Sequence, residues 1–184
     1  MRLERALRAS KSLCRTGWML RGVPGAEAET VAEHSFEAAV LAYFLAEKLA
    51  MSGVRVDAER ATAVALFHDM GESVMGDLVK WTGKRVDKPS VEREAFRELK
   101  VGEELFAEYS SRRSLESRLA KLSDVLSTHL QALRYAQRGY DVSEIVEATS
   151  SELQELLSDP ELAPLKKEVQ SLTNLKSGDP DPQT

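Results

Sequence analysis

The chain has 184 residues, of which 42% are hydrophobic and 30% charged, proportions typical of a globular protein rather than a disordered, collagen-like or disulfide-rich one. Its 25 Lys and Arg residues are outnumbered by 30 Asp and Glu residues, which gives a formal net charge of −5. No excess of cations is present to neutralise a nucleic-acid backbone, so we expect no nucleic-acid partner. A chain of this length fits one domain and leaves no room for a second catalytic domain.

Hydrophobic runs and cysteine content indicate the cellular environment. The longest apolar run, residues 38–46, has nine residues, whereas a membrane-spanning helix needs about 20. The charged start MRLERALR lacks the apolar core of a signal peptide. The single cysteine, Cys14, can form neither an internal disulfide nor a Cys-based zinc cluster. We therefore expect a soluble cytoplasmic protein without a membrane partner.

Hydrophobic residues recur with helical spacing along nearly the whole chain, and no run alternates long enough for a half-buried strand. This spacing predicts an all-α fold. Residues 1–14 form a predicted amphipathic helix, and the loop after them is rich in turn formers: Gly17, Gly22, Pro24 and Gly25. Thr30 and Glu33 fit a capping box that opens a long helix ending near residue 51.

The second half continues the helical pattern. Asp57 is predicted to cap a helix that reaches His68, after which Gly71 breaks the pattern. A short segment over residues 72–80 leads into a charged loop. We predict further helices over residues 90–108, 113–137, 142–157 and 160–173, with Pro160 in the first turn of the last one.

The C-terminal residues differ from the rest of the chain. Residues 176–184 contain Gly178, Pro180 and Pro182 and offer nothing apolar to bury. We predict one domain over residues 1–175, followed by a mobile tail over residues 176–184.

His34 and His68 lie on the inward stripes of two different predicted helices. A single histidine on an apolar face is more often a hydrogen-bonded core residue than a metal ligand. However, Asp69, Glu72 and Asp77 follow His68 within ten residues, and three carboxylates so close together repel one another unless a cation balances them. The adjacent His-Asp pair can offer a divalent metal one nitrogen and one oxygen. His34 is the candidate third ligand, and a further acid must come from the C-terminal half.

The order of these motifs resembles a known family. The strings EHS (residues 33–35), HD (68–69) and KLSD (121–124) resemble the His…His-Asp…Asp signature of the HD-domain metal-dependent phosphohydrolases. The strings RTGW (15–18) and ESVMGD (72–77) further resemble the small HD-domain 5′-deoxynucleotidases, and the likeness covers residues 10–140. The resemblance implies an all-α HD-type bundle, a homodimer, and hydrolysis of deoxyribonucleoside 5′-monophosphates to nucleoside and phosphate with a bound divalent metal.

The resemblance also implies the metal ligands: His34, His68, Asp69 and Asp124 would hold one ion, which could be Mn, Co, Fe, Ni, Zn or Mg. Asp124 is implied by the resemblance alone. The apolar stripe of its helix lies on the opposite side, so periodicity predicts a solvated residue there; that stripe is Leu115, Leu119, Leu122, Leu126 and Leu133. His129 lies on the leucine side, and we interpret it as a core or interface histidine.

Catalytic and substrate-binding residues complete the predicted site. We expect Glu72 to orient or deprotonate the attacking water, and Asp77 to position the substrate or assist the leaving hydroxyl. Four residues are candidates for holding the phosphate and the base: Arg15, Trp18, Arg21 and Lys80. An equal alternative for Trp18 is that it anchors its loop to the core. In bacterial deoxynucleotidases an adjacent Arg-Trp pair contacts the nucleotide, whereas here two residues separate Arg15 from Trp18.

Other functions stay open at this point. A phosphatase for ribonucleotides or another small phosphate ester fits the same residues. A non-catalytic nucleotide-sensing HD module would be expected to lose a metal ligand or the catalytic acid, and this chain has all of them. A dinuclear HD-type oxygenase needs further inward histidines, and only His129 is left over. The nucleobase, the native metal and the pathway are not predicted.

Overall fold

The computed structural model describes residues 2–174, apart from the side chains of Arg2 and Lys80. The predicted tail over residues 176–184 lies outside the described residues. In chain order the helices are α1 (Arg2–Ser10), α2 (Thr16–Met19), α3 (Val31–Met51), α4 (Ala58–Phe67), α5 (Glu72–Met75), α6 (Lys80–Gly83), α7 (Lys88–Leu99), α8 (Glu103–Ser111), α9 (Leu115–Gln137), α10 (Ser143–Leu156) and, after a 3₁₀ turn (Ala163–Leu165), α11 (Lys166–Asn174).

Across residues 2–174 the extended structure is limited to one isolated antiparallel bridge between Cys14 and Thr30. The predicted all-α single-domain fold is therefore confirmed. Within the same residues, none of the helices is long and apolar enough to cross a membrane.

Local sequence signals set where the two longest N-terminal helices begin. The Thr30 hydroxyl accepts a hydrogen bond from the Glu33 amide (3.2 Å), and the Glu33 carboxylate accepts one from the Thr30 amide (2.7 Å). This capping box opens α3 as predicted. Asp57 caps α4 by accepting from the Arg60 amide (2.8 Å).

The predicted helix over residues 90–108 is wrong, because the structure divides it into α7 and α8. Lys100 and Gly102 adopt left-handed backbone angles (φ 58° and 77°) at the break. Phe67, at the end of α4, packs so closely on this turn that a Cβ atom on Gly102 would lie 2.3 Å from its ring. Only glycine fits that approach, so tertiary packing selects the break.

Some of the other predicted boundaries also need correction, whereas the helices predicted over residues 113–137 and 142–157 agree with α9 and α10 within two residues. The first helix ends at Ser10 rather than residue 14, and the loop after it contains the unpredicted α2. In the segment over residues 72–80, only Glu72–Met75 form a helical turn, α5, which ends at Gly76 with φ 85°. Pro160 lies in a turn rather than in the first turn of a helix, and α11 follows the 3₁₀ turn.

Helix α9 is the centre of the bundle and contacts α3, α4, α8, α10 and α11. Its leucine stripe, including Leu122 and Leu126, packs with Leu45 and Leu49 of α3 in the main core cluster. The opposite side is buried as well, since Ala120 packs against residues of α3, α4 and α8. The face that periodicity predicts as solvated, which carries Asp124, is therefore covered by other helices.

Candidate metal centre

The four predicted metal ligands converge at one point of the bundle. His34 comes from α3, His68 and Asp69 follow α4, and Asp124 comes from α9. His34 Nε2 lies 3.2 Å from His68 Nε2 and 3.2 Å from Asp124 Oδ1, and these three ligand atoms all lie within 4.8 Å of one another. Asp69 Oδ2 lies 3.1 Å from His68 Nε2 and 3.7 Å from His34 Nε2.

These spacings fit a metal ion. A transition metal binds nitrogen and oxygen ligands at about 2.1 Å, which places neighbouring ligand atoms about 3.0 Å apart in octahedral and about 3.4 Å apart in tetrahedral geometry. The two histidine Nε2 atoms lie 3.1 to 3.7 Å from each other and from the nearest carboxylate oxygens of Asp69 and Asp124. Two imidazole nitrogens and two carboxylate oxygens are a common donor set for divalent metals.

The hydrogen bonding of His68 supports the same conclusion. Its Nδ1 lies 2.6 Å from the Ala65 carbonyl oxygen, which can only accept, so Nδ1 carries a proton. The Nε2 lone pair of the neutral ring then faces the carboxylates of Asp69 and Asp124. Burial alone would lower the pKa of His68, but these two negative charges outweigh it and raise that pKa to about 10. The cluster therefore favours a cation, either a proton or a metal, between these atoms.

Asp124 presents only one of its oxygens to the histidines. Its Oδ2 accepts hydrogen bonds from the Tyr109 hydroxyl (2.5 Å) and from Lys121 Nζ (3.0 Å). Burial and the nearby Asp124 charge raise the pKa of Tyr109 well above its usual value, so Tyr109 stays a donor. Oδ1 is left facing His34 and His68 as a single ligand atom.

Glu72 is a buried carboxyl group beside this cluster, only 3% exposed. Its Oε1 lies 3.7 Å from Lys88 Nζ, while its Oε2 has no hydrogen-bond partner among the described residues. Burial, together with the negative charges of Asp69 and Asp77, raises the pKa of Glu72 to about 9. A buried carboxyl oxygen without a partner is available to a water molecule or a substrate.

Asp77 is tied to the loop that carries the predicted substrate contacts. Its carboxylate accepts a hydrogen bond from the Thr16 amide at the start of α2, and the Thr16 hydroxyl donates to the Asp77 carbonyl (3.3 Å). The side chain lines the same cavity as Glu72. Asp77 is therefore placed to hold the loop against the site.

The four predicted substrate contacts have different surroundings. Arg15 is largely buried and donates to Thr128 Oγ1 (3.1 Å). Trp18 is 2% exposed, and its Nε1 donates to Glu29 Oε2 (3.1 Å). Arg21, partly exposed, pairs with Glu144.

Trp18 belongs to a core cluster in which its ring packs edge-on against Tyr135, with the ring centroids 5.1 Å apart. It also forms part of the cavity wall, and its contact with a base stays a prediction. The Lys80 side chain lies outside the described residues.

A cavity of about 1070 Å³ opens above the cluster, and Asp69, Glu72 and Asp124 lie on its wall. This volume is slightly above the range typical of small-molecule sites, about 300–1,000 Å³. Cationic side chains also line it: Arg15, Arg21, Lys88, Arg93, Arg112 and Lys121. The cavity can therefore hold an anionic small molecule against the predicted metal ligands.

Several residues of the site were missed from the sequence. Lys121 lies one helical turn before Asp124, a spacing that could have indicated their contact. Glu29, which binds both Arg15 and Trp18, gave no periodic signal because it lies in a loop. Trp81 is 66% exposed, lines the cavity, and has the Arg85 guanidinium 3.8 Å from its ring centroid.

His129 is not one of the residues in the cluster. It is buried, and its Nδ1 lies 2.8 Å from Thr149 Oγ1. This placement agrees with its interpretation as a core histidine.

Comparison with known proteins now decides the family. A model of the HD domain matches residues 7–159, more than half of the chain. The chain belongs to the HD-domain family.

Two relatives indicate which members of the HD-domain family the chain resembles. The 5′-deoxynucleotidase HDDC2 of Dictyostelium discoideum is 29% identical over 152 residues, which are 76% of this chain and 79% of that protein. The human protein of the same name is 30% identical over 135 residues, which are 68% of this chain and 62% of the human protein. The resemblance to HD-domain 5′-deoxynucleotidases stated from the sequence is confirmed.

Solved structures agree on the fold. A conserved hypothetical protein from Pyrococcus furiosus is 31% identical, with a TM-score of 0.81 over 92% of this chain and 98% of that chain. A protein from Pyrococcus horikoshii is 30% identical, with a TM-score of 0.83 over 93% and 96% of the two chains. The fold shared with these structures therefore covers nearly the whole chain.

Proposed function

We propose that this HD-domain protein is a metal-dependent phosphohydrolase that converts (deoxy)ribonucleoside 5′-monophosphates to nucleoside and phosphate, with a preference for deoxyribonucleotides. The observation that carries the proposal is the convergence of His34, His68, Asp69 and Asp124 beside a cavity lined by cations, with the two aspartates on its wall. The names of the relatives, 5′-deoxynucleotidases, support the substrate class.

In this proposal the four converging residues hold one divalent ion, which could be Mn, Co, Fe, Ni, Zn or Mg. A divalent ion in such a site supplies Lewis-acid chemistry and makes water an effective nucleophile at neutral pH. Tyr109 and Lys121 keep Asp124 turned towards the two histidines. The Ala65 carbonyl does the same for His68.

Glu72 performs the proton transfer in the proposed reaction. A bound divalent ion would offset the negative charges that help to raise the pKa of Glu72 and would favour its ionised form. The Oε2 atom of Glu72, which has no partner among the described residues, could then accept a proton from the attacking water. As the bond between phosphorus and the 5′-oxygen breaks, a proton must reach the leaving oxygen. A carboxyl group with a raised pKa is suited to holding that proton between the two steps.

Cationic side chains of the cavity bind the phosphate. Arg15, Lys88 and Lys121 line the cavity close to the carboxyl groups of the site and attract an anionic substrate. Asp77 positions the loop of Arg15 and Trp18 through Thr16. Arg21 and Lys80 stay predicted contacts.

Phosphate release tests the proposal. Metal-stripped protein receives Mn²⁺, Co²⁺ or Mg²⁺ and is assayed on a panel of deoxyribonucleoside and ribonucleoside 5′-monophosphates. We expect release only with added metal, and faster on the deoxyribonucleotides. Faster release from ribonucleotides or another small phosphate ester would favour the alternative phosphatase. Nucleotide binding without release under any metal would favour a non-catalytic sensing module.

We also propose that the protein forms a homodimer. Phe36, Val40 and Tyr43 follow one another at spacings of four and three residues on α3, and all three are exposed. An apolar stripe on one face of a helix is typical of a protein interface. Light scattering should give twice the mass of the chain, and a monomer at every accessible concentration would overturn the proposal. The cytoplasmic location stays a prediction.

A further inference from the structure

We propose that Glu37 and Ser127 are positioning residues that fix the orientation and tautomer of His34, and thereby set how tightly the cluster binds its metal. The inference rests on the proposed metal site and adds residues that contact no substrate. These two residues and Arg134 form a chain of hydrogen bonds that runs from the partly exposed surface to a predicted metal ligand.

The chain of hydrogen bonds is continuous in the structure. Ser127 Oγ lies 3.2 Å from His34 Nδ1 and 3.2 Å from Glu37 Oε2. The Glu37 carboxylate also accepts two hydrogen bonds from the Arg134 guanidinium, at 2.6 and 3.0 Å. His34 and Ser127 are both completely buried, so water cannot replace either partner.

Helix geometry explains why these residues meet. Glu37 lies three residues after His34, so both face the same side of α3. Arg134 lies seven residues after Ser127, two turns further along the same side of α9. This chain of hydrogen bonds, which we call the relay, therefore joins one face of α3 to one face of α9, the two longest helices.

The chemistry of each group determines which atom donates and which accepts in each hydrogen bond. The Glu37 oxygens accept from Arg134, and the Ser127 hydroxyl donates its single proton to Glu37 Oε2. Ser127 Oγ can then only accept from His34, which places the proton of that ring on Nδ1. The lone pair of His34 is left on Nε2, the nitrogen that faces His68 and Asp124.

Of the two histidines in the cluster, His34 is the one whose Nδ1 bonds to a side chain. His68 is fixed by a backbone carbonyl, that of Ala65, which no substitution removes. The tautomer of His34 can therefore be changed by replacing a residue that is not itself a predicted ligand. Loss of such an outer partner typically costs 10- to 100-fold in metal affinity.

The decisive variant is Glu37→Gln, which keeps the size of the side chain. Arg134 holds the amide oxygen, so the amide NH₂ turns to Ser127 and donates to it. Ser127 then donates to His34 Nδ1, and the His34 proton moves to Nε2, where it opposes metal binding. Ser127→Ala removes the link altogether. Glu47→Gln is the matched control, since Glu47 is an exposed glutamate on the same helix outside the relay.

The experiment measures the Co²⁺ dissociation constant of metal-stripped parent and variants by chelator competition. A second readout is the Nδ1 proton resonance of His34 in Zn²⁺-loaded, ¹⁵N-histidine-labelled protein. We expect Glu37→Gln and Ser127→Ala to bind Co²⁺ about 10- to 100-fold more weakly. The Nδ1 proton resonance should shift or exchange faster in both, while Glu47→Gln behaves as the parent.

The outcomes separate the relay from the proposed function. Parental affinity and an unchanged resonance in Glu37→Gln would overturn the relay while leaving the metal site intact. A parent protein that binds no Co²⁺ would overturn the metal site itself. If Ser127→Ala does not fold, Glu37→Gln decides the question, because the Glu37 side chain is partly exposed.

Discussion

The buried ligand cluster beneath the cavity, which we call the floor, and the rim of the cavity are built in opposite ways. In the floor, His34, His68 and Asp124 are buried, and each has a second polar partner that orients it. On the rim, Trp81 is 66% exposed and Arg21 pairs with an exposed glutamate, Glu144. These two side chains of the rim are therefore open to solvent.

Because of this difference, we expect the buried cluster to bind the metal and the rim to contact the substrate. Buried ligands that already face one another can bind a cation without rearrangement, which favours tight binding and fixed reaction geometry. Exposed side chains can adjust to a substrate as it enters, but each contributes less. Substitutions on the floor should therefore affect metal content and kcat, whereas substitutions on the rim should affect KM.

The largest expected effect concerns Glu72, at the boundary between the two regions. Glu72→Gln keeps the shape of the side chain but removes the basic oxygen, so kcat should fall about 100- to 10,000-fold. Metal content and KM should stay close to those of the parent. Glu92→Gln is the matched control, since Glu92 also pairs with Lys88. Near-parental turnover of Glu72→Gln with metal bound would contradict its catalytic role, and loss of the metal would make it a ligand.

The two tryptophans give a second contrast. Trp81→Ala should raise KM about 5- to 150-fold, because stacking of a base on an aromatic ring contributes about 1–3 kcal/mol. Its free energy of unfolding should change by less than about 0.5 kcal/mol, as for other surface substitutions. Trp18→Ala should instead lower the free energy of unfolding by about 3–5 kcal/mol, since it removes a buried ring.

Kinetics and urea denaturation of both tryptophan variants check this contrast. A contact between Trp18 and the base would instead raise KM or weaken the preference for deoxyribonucleotides at unchanged metal content, and the same preparations measure both. An unchanged KM for Trp81→Ala would remove Trp81 from the substrate site. Parental stability of Trp18→Ala would contradict its place in the core.

The smallest effect is expected at Arg21. Its guanidinium already pairs with Glu144 in a solvent-exposed contact, so Arg21→Ala should change KM by less than about fivefold. Steady-state kinetics at low and high salt measure the effect, with Arg93→Ala as a second cationic rim variant. A larger loss at Arg21 than at Glu72 would reverse the proposed division between floor and rim.

Asp124 shows what sequence periodicity could not predict. Its helix carries a leucine stripe on the other side, so one-sided burial predicts a solvated aspartate. In the structure α9 is central, and helices cover both of its sides. Only the motif resemblance placed Asp124 beside His34 and His68, because periodicity describes one helix and not how many neighbours it has.

Other features of the chain show the same difference between contacts within one turn, which the sequence predicts, and contacts between distant residues, which it does not. The capping box of Thr30 and Glu33 was predictable, since both residues lie within one turn. The break near Gly102 was not, because it is caused by Phe67, 35 positions earlier in the chain. Ser127 joins Glu37 across a separation of 90 residues, so no local pattern indicates the relay.

The central claim, one divalent ion held by the buried cluster, is tested most directly by metal content. Parent protein and His68→Ala are saturated with Mn²⁺ or Co²⁺, passed through a desalting column and analysed by mass spectrometry for bound metal. We expect about one ion per chain in the parent and close to none in His68→Ala, which should also lose phosphate release. Full metal content in His68→Ala, or no bound metal in the parent, would contradict the claim.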